Sequence, residues 1–224
     1  MDVKPTSSSH AASSHADRAL GIEAPSGRAA RARDVILPPD LFTASDLARF
    51  CQVDLKTIHN WSDKGQIPHF RTPGRHLRFR RLDVLDFLRR YGYAIPDILR
   101  ATRPRLVVVD ADAQTQATLK RTLQKRFEII SYVDPVDALV NLAQVQPDLL
   151  VVEVATEVGG LDGVHFLERL REVEATRHIR NLVFTKRPDV RARALAAGAL
   201  SVHDKDDLAG LKTALEAISG VGNG

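Results

Sequence analysis

Five arginines, Arg71, Arg75, Arg78, Arg80 and Arg81, stand within eleven residues that contain no Asp or Glu, with His69 and His76 interleaved. Guanidinium groups at that density suit a line of phosphates, where each contact releases counterions. The preceding stretch carries Lys56, Thr57, His59, Asn60 and Lys64 between Leu55, Ile58 and Trp61, which recur at three-residue spacing. On a helix the apolar set faces a small core and the polar set turns outward. Lysine neutralises phosphate or donates to guanine, and asparagine can pair bidentately with adenine. The expected duplex contacts are therefore Lys56, Thr57, His59, Asn60 and Lys64 from a helix, and Arg71, Arg75, His76, Arg78 and Arg80 from the segment after it.

A second constellation is spread through the rest of the chain. Asp110, Asp112, Glu153, Thr185 and Lys205 each stand at or just past the end of a short apolar run of strand character. In an open parallel sheet, chemistry gathers at the carboxyl ends of the strands, so these five are expected at one edge. A Glu153 to Lys205 ion pair is available there.

The elements that must position these residues have local signatures. Asp54 is a good N-cap for a helix beginning at Leu55, and Gly65 stops it. Residues 66–70 predict a strand, 72–76 a Pro-Gly turn and 77–80 the returning strand. Upstream, Thr43 to Asp46 forms a capping box that opens a helix over 45–51, with Leu47, Phe50 and Cys51 as its apolar side. A third helix over 82–91 is expected to pack Leu82, Val84, Leu85 and Leu88 back onto the recognition helix. Gly92, Pro96 and Pro104 then mark a linker with one helical turn around the apolar piece 95–99, and a boundary near Thr102. From Arg105 buried strands alternate with amphipathic helices. Strands are predicted at 106–109, 128–132, 149–154, 181–184 and 201–203, and helices at 114–125, 135–145, 163–174, 189–197 and 208–218. That alternation implies a parallel sheet covered on both faces.

These residues resemble two known families. The phrases VDLKTIHNW, the KG before a strand, and RTPGRHLRFR closing into LDVLDFL resemble the MerR and excisionase superfamily of winged helix-turn-helix proteins, most closely BldC-like regulators, over about 41–90. That resemblance implies double-stranded DNA binding, with the second helix in the major groove and the wing along the backbone or minor groove. Over about 105–218, PDLLVVEV, LDG, the strand ending in Thr185, and AAGA followed seven residues on by Lys205 resemble the receiver domain of bacterial response regulators. The family's phosphorylation site needs a carboxylate nucleophile, two acidic residues for magnesium, a hydroxyl and a lysine.

This chain departs from that pattern. Glu153 takes the phosphoacceptor's place, and its extra methylene displaces the nucleophile by more than about one ångström. Ala111 stands where a second carboxylate would be, and magnesium demands near-ideal geometry. The loop between Glu153 and Gly163 is longer than usual and lacks the family's Met-Pro, and Val202 occupies the aromatic switch position. Asp148 lies at the wrong end of its strand, and Asp162 is the family's structural Asp-Gly. The expectation is a pseudo-receiver.

The implied fold class is α/β: a small winged helix-turn-helix domain followed by a doubly wound five-stranded parallel-sheet, receiver-like (flavodoxin-like) domain. Residues 1–36, rich in Ser, Ala, His and Arg without apolar periodicity, are expected to be a disordered tail, in which His10 and His15 are incidental. The DNA-binding domain then spans 37–91, the linker 92–104, the receiver-like domain 105–219 and a flexible C-terminus 220–224.

Charge follows the division, with eleven Lys and Arg against seven Asp and Glu over 37–100, but fifteen against seventeen over 104–219. The basic balance belongs to the half expected to meet nucleic acid. A single cysteine, Cys51, excludes an internal disulfide or CxxC metal site and reads as core. Gly159-Gly160 is a turn, since no phosphate-loop GK[ST] follows it.

With no catalytic triad or paired catalytic carboxylates in evidence, the expected function is that of a bacterial sequence-specific transcription regulator, not an enzyme. Neither cofactor nor metal is expected. The receiver-like half would act without phosphorylation, in dimerisation or in docking a protein partner, and the chain would act on DNA as a homodimer or cooperative oligomer. Lacking an apolar run for a signal peptide or membrane span, the protein is expected in the cytoplasm, associated with the nucleoid. Three rival readings stand beside this one: an excisionase-like DNA-bending factor, a signalling adaptor, and a response regulator phosphorylated on Glu153.

Overall fold

The computed structural model describes residues 41–154 and 162–221. The expected disordered tail, the Gly159-Gly160 turn and the last three residues lie outside them.

The first described elements are β1 (Leu41–Thr43), α1 (Ala44–Cys51) and α2 (Leu55–Asp63). Thr43 caps α1 with the anticipated reciprocal pair: its Oγ1 accepts from the Asp46 amide at 3.1 Å, and Asp46 Oδ2 accepts from the Thr43 amide at 2.9 Å. Gln52 ends α1 in the left-handed region, a frequent C-terminal device. Asp54 caps α2 through the Thr57 amide at 2.6 Å, and Gly65, at φ +68°, takes the chain out of it.

A hairpin follows, formed by β2 (Phe70–Arg71) and β3 (Leu77–Arg80), and α3 (Arg81–Arg90) starts directly from it. The three strands pair antiparallel in the order β1-β3-β2, with Leu41 opposite Arg80 and Phe70 opposite Arg78. Two expectations are corrected here. Of residues 66–70, predicted as a strand, only Phe70 pairs with β3, continued by Arg71, and β1, which had no sequence signature, supplies the third strand. Along β3, Leu77 and Phe79 enter the core shared with Leu47, Ile58, Val84 and Leu88, so Arg78 and Arg80 take the opposite face. Leu55 is also corrected: it stays 48% exposed, while Ile58, Ser62 and half-buried Trp61 form the inner side of α2.

The stretch expected as a linker contains α4 (Asp97–Ala101), with Leu99 buried against the helix-turn-helix core. The second sheet consists of β4 (Arg105–Val109), β5 (Glu128–Tyr132), β6 (Leu149–Val152), β7 (Arg180–Thr185) and β8 (Ser201–Asp204), all parallel, in the order β5-β4-β6-β7-β8. Counted from β4 this is 2-1-3-4-5, the flavodoxin-like order.

The connecting helices are α5 (Ala113–Leu123), α6 (Pro135–Val145), α7 (Gly163–Glu172), α8 (Arg191–Ala196, preceded by a 3-10 turn at Pro188–Val190) and α9 (Leu208–Ser219). Residues of α6, α7 and α8 share one core with Val107, Val109, Leu150, Val152 and Val183. Those of α5 and α9 share another with Leu106, Val108, Leu149, Val151 and Leu182. Alternate residues of β4, β6 and β7 thus feed opposite cores.

The second of these cores also contains Leu82 and Leu85 of α3, which corrects the expectation that all four apolar residues of that helix pack on α2. Val84 and Leu88 do so, but Leu82 and Leu85 turn to the parallel sheet and α9. Arg81 is fully buried in the same seam, its guanidinium donating to the carbonyls of Leu99 at 2.5 Å and Ser219 at 3.4 Å. It therefore leaves the basic run it was grouped with. Around it, Arg89 donates to the Ala217 carbonyl at 3.0 Å, and Arg180 pairs with Asp86 at 2.8 Å and Asp83 at 3.5 Å. Gly220 ends α9 in the left-handed region at φ +74°, where glycine is favoured, and a Cβ there would come within 2.6 Å of the Leu85 side chain on α3.

Candidate functional site

The outward side of α2 presents Lys56, His59 and Asn60 to solvent, with Lys64 at the C-cap. Thr57 is half-buried and its amide is held by Asp54. At the hairpin tip, Arg75 takes the left-handed conformation at φ 61°. Its amide donates to the Thr72 carbonyl at 2.7 Å, and the Thr72 amide donates to the His76 carbonyl at 3.0 Å. Arg71 ties this tip to the end of α2 through Asp63 at 3.2 Å and donates to the Arg75 carbonyl at 3.2 Å. Helix and tip therefore form a linked surface on which Lys56, His59, Asn60, Lys64, Arg71, Arg75 and His76 are all exposed.

Arg78 and Arg80 lie deeper. Arg78 is half-buried, its guanidinium bonded to the Leu77 carbonyl at 2.9 Å. Arg80 sits over the Phe70 ring at 4.9 Å and lines a cavity of about 50 Å³ with Asp83, Asp148, His178 and Arg180. Burial lowers the Arg80 guanidinium below its ordinary range, Asp83 opposing and the like charge of Arg177 adding to the effect. His178 in the same seam is depressed to about 4, by burial first and by Arg80 second.

At the carboxyl edge of the parallel sheet, Lys205 Nζ sits 2.7 Å from Asp110 Oδ2 and 2.8 Å from Glu153 Oε2, with all three side chains largely buried. The pair with Glu153 was legible; the second bond, to Asp110, was not, because ninety-five residues separate the partners. Burial would lower the ammonium, but the bonds to Asp110 and Glu153 outweigh it and hold Lys205 above its usual range. Asp110 is raised by burial, partly offset by Lys205 and by the Asp112 amide.

The other two predicted members of this site point elsewhere. Asp112 is exposed and caps α5, its carboxylate accepting from the amides of Gln114 and Thr115 and from the Thr115 hydroxyl at 2.6 Å. Thr185 is buried, and its Oγ1 accepts from the Arg187 amide at 3.1 Å.

The residues at this edge do not fit a magnesium ion. Two carboxylates already share the lysine, Ala111 offers no ligand and Asp112 is engaged in its cap, whereas magnesium requires near-octahedral oxygen donors. Among the described residues, no group of three or more metal-ligating side chains is placed to hold an ion.

A family model for a helix-turn-helix domain matches residues 41–92. The transcriptional regulatory protein PrrA of Mycobacterium leprae is 34% identical over 97 residues, covering 43% of this chain and 41% of that protein. PrrA of Mycobacterium tuberculosis is 34% identical over 99 residues, covering 44% and 42%. The chain thus spans less than half the length of the curated relatives it matches. Among solved structures, the chemotaxis response regulator CheY4 of Vibrio cholerae matches 52% of this chain and 99% of that one, with 21% identity and a TM-score of 0.48. No helix among the described residues is long and apolar enough to cross a membrane. The chain is an α/β protein that joins a helix-turn-helix domain at residues 41–92 to a five-stranded parallel sheet of flavodoxin-like order.

Proposed function

We propose that this chain is a bacterial, sequence-specific DNA-binding transcription regulator of winged helix-turn-helix type, akin to BldC-like members of the MerR superfamily. Its doubly wound second half acts as a pseudo-receiver. The observation that carries the DNA reading is the exposed row Lys56, His59, Asn60 and Lys64 on a capped helix, tied by Arg71 and Asp63 to a basic hairpin tip. In this reading α2 enters the major groove, Arg71, Arg75 and His76 follow the backbone, and Arg78 and Arg80 support them from the strand. The Lys205, Asp110 and Glu153 cluster supports a receiver-like half that works without phosphorylation, in homodimerisation or in docking a protein partner. The chain then works in the cytoplasm, at the nucleoid.

Selection of bound duplexes from a random pool, followed by affinity measurements, tests the reading. Asn60→Ala or Lys56→Ala should cost about 1–3 kcal/mol on the selected site and relax preference at one base step. Equal losses on selected and random DNA would reassign both residues to backbone contacts, and failure to enrich any sequence would end the sequence-specific reading.

A further inference from the structure

Val53 packs against the helix-turn-helix core and Ile58 is fully buried in it, but Leu55 between them stays 48% exposed. It belongs to none of the three apolar cores among the described residues. A lone exposed leucine is ordinary on a protein surface. This one stands in a turn that departs from the rest of its half in a second way. α1, α3 and α4 each place an Asp in the first turn, where a helix N-terminus carries partial positive charge. α2 places Leu55 and Lys56 there, with no acidic residue in that turn. Neither favours the helix start: the cation opposes the dipole, and the leucine leaves apolar surface in water. Local departures of this kind are expected where a surface meets a ligand.

The turn is firmly mounted. Gln52 takes the left-handed region at φ 55°, the Val53 amide returns to the Ala48 carbonyl at 3.0 Å, and Asp54 Oδ1 accepts from the Thr57 amide at 2.6 Å. Because Cα–Cβ bonds tilt towards the N-terminus of a helix, Leu55 and Lys56 project ahead of α2, one turn before exposed His59 and Asn60. A helix that enters the major groove presents such leading residues to base edges. The polar row on α2 can bond to the donors and acceptors found there, whereas the C5 methyl of thymine offers only an apolar contact. Among the exposed residues of α2, Leu55 alone is apolar.

We propose that Leu55 is a specificity-determining residue, packing its side chain against the C5 methyl of a thymine at the leading end of α2. This deepens the DNA-binding reading and rests on it. A pyrimidine without the methyl loses the burial, so one position of the bound site is read by apolar contact beside those read by Lys56 and Asn60.

A duplex selected from a random pool by the full-length chain should be remade with each thymine in turn replaced by deoxyuridine, which removes the C5 methyl and nothing else. Wild type, Leu55→Ala and Leu55→Met are then titrated on every duplex at one salt concentration. Wild type should lose about fourfold in affinity at one thymine, corresponding to about 0.8 kcal/mol for one buried methyl-sized group. Leu55→Ala should bind the thymine and deoxyuridine forms equally at that position, and Leu55→Met, which keeps an apolar tip, should still discriminate. If wild type treats the two forms alike at every position, or if Leu55→Ala discriminates as wild type does, this inference falls and the DNA reading stands. A wild type that enriches no duplex from the pool overturns both.

Discussion

Lys205 is the residue on which the carboxyl edge of the sheet depends. Its ammonium is the shared partner of two buried carboxylates from different strands, Asp110 after β4 and Glu153 after β6. Lys205→Met removes that shared partner, and breaking a buried pair in this way costs about 3–5 kcal/mol. Without the ammonium Asp110 keeps the Asp112 amide, but repulsion from Glu153 is added to its burial, so its folded-state pKa rises further above the unfolded value. Such a group adds stability below its unfolded pKa and loses it as pH rises through the folded one. The deficit of the variant should therefore be larger at pH 8 than at pH 5, read by urea denaturation at both. A deficit independent of pH would mean that the cluster is not held as a buried triad. The same commitment of both carboxylates underlies a second expected result: acetyl phosphate with magnesium should leave the wild-type mass unchanged.

At the level of elements, His178 reports on the seam between the hairpin and the crossover from α7 to β7. Its pKa is depressed to about 4 from 6.5, so the unfolded chain takes up the proton first. This contribution to stability is whole above about pH 6.5 and drains away as pH falls towards 4. The melting temperature of His178→Gln should fall less steeply over that window than that of wild type, and parallel slopes would show that the imidazole is solvated in the fold. Elements built by neighbours in sequence were legible beforehand: the Thr43 and Asp46 box, the Asp54 cap, the Pro-Gly turn and the five parallel strands. What escaped was set by distant partners. β1 is three residues whose strand character exists only through pairing with β3. The spacing of Leu82 and Leu85 announces an apolar side of α3 without naming its partner. Arg81 closes a run of arginines in sequence, and its bonds to the distant Leu99 and Ser219 carbonyls set it apart from them. At the sheet edge the charges were legible but their geometry was not: Asp112, one position from Ala111, turned out to serve a helix cap.

On the scale of the whole molecule, the two halves share a core. A 37–100 fragment would leave Leu82 and Leu85 in water and Arg81 without the Ser219 carbonyl. Two leucines account for about 3–6 kcal/mol of burial, a large part of the 5–15 kcal/mol that holds a typical domain. The fragment should melt far below the intact chain, or lack a cooperative transition by circular dichroism. A fragment as stable as the intact chain would show that the seam contributes little. The buried arginine also bears on how such a chain can be remade by recombination. Two of the groups it donates to are main-chain carbonyls of α4 and α9, so a side-chain substitution in those helices cannot restore them once their backbone is displaced. A parallel sheet transplanted from another protein would have to end its last helix at the same point and in the same direction, or lose the Ser219 carbonyl that holds Arg81. The helix-turn-helix half and the sheet behind it are accordingly matched at their joint, and a hybrid gene cut between them should fail at the graft.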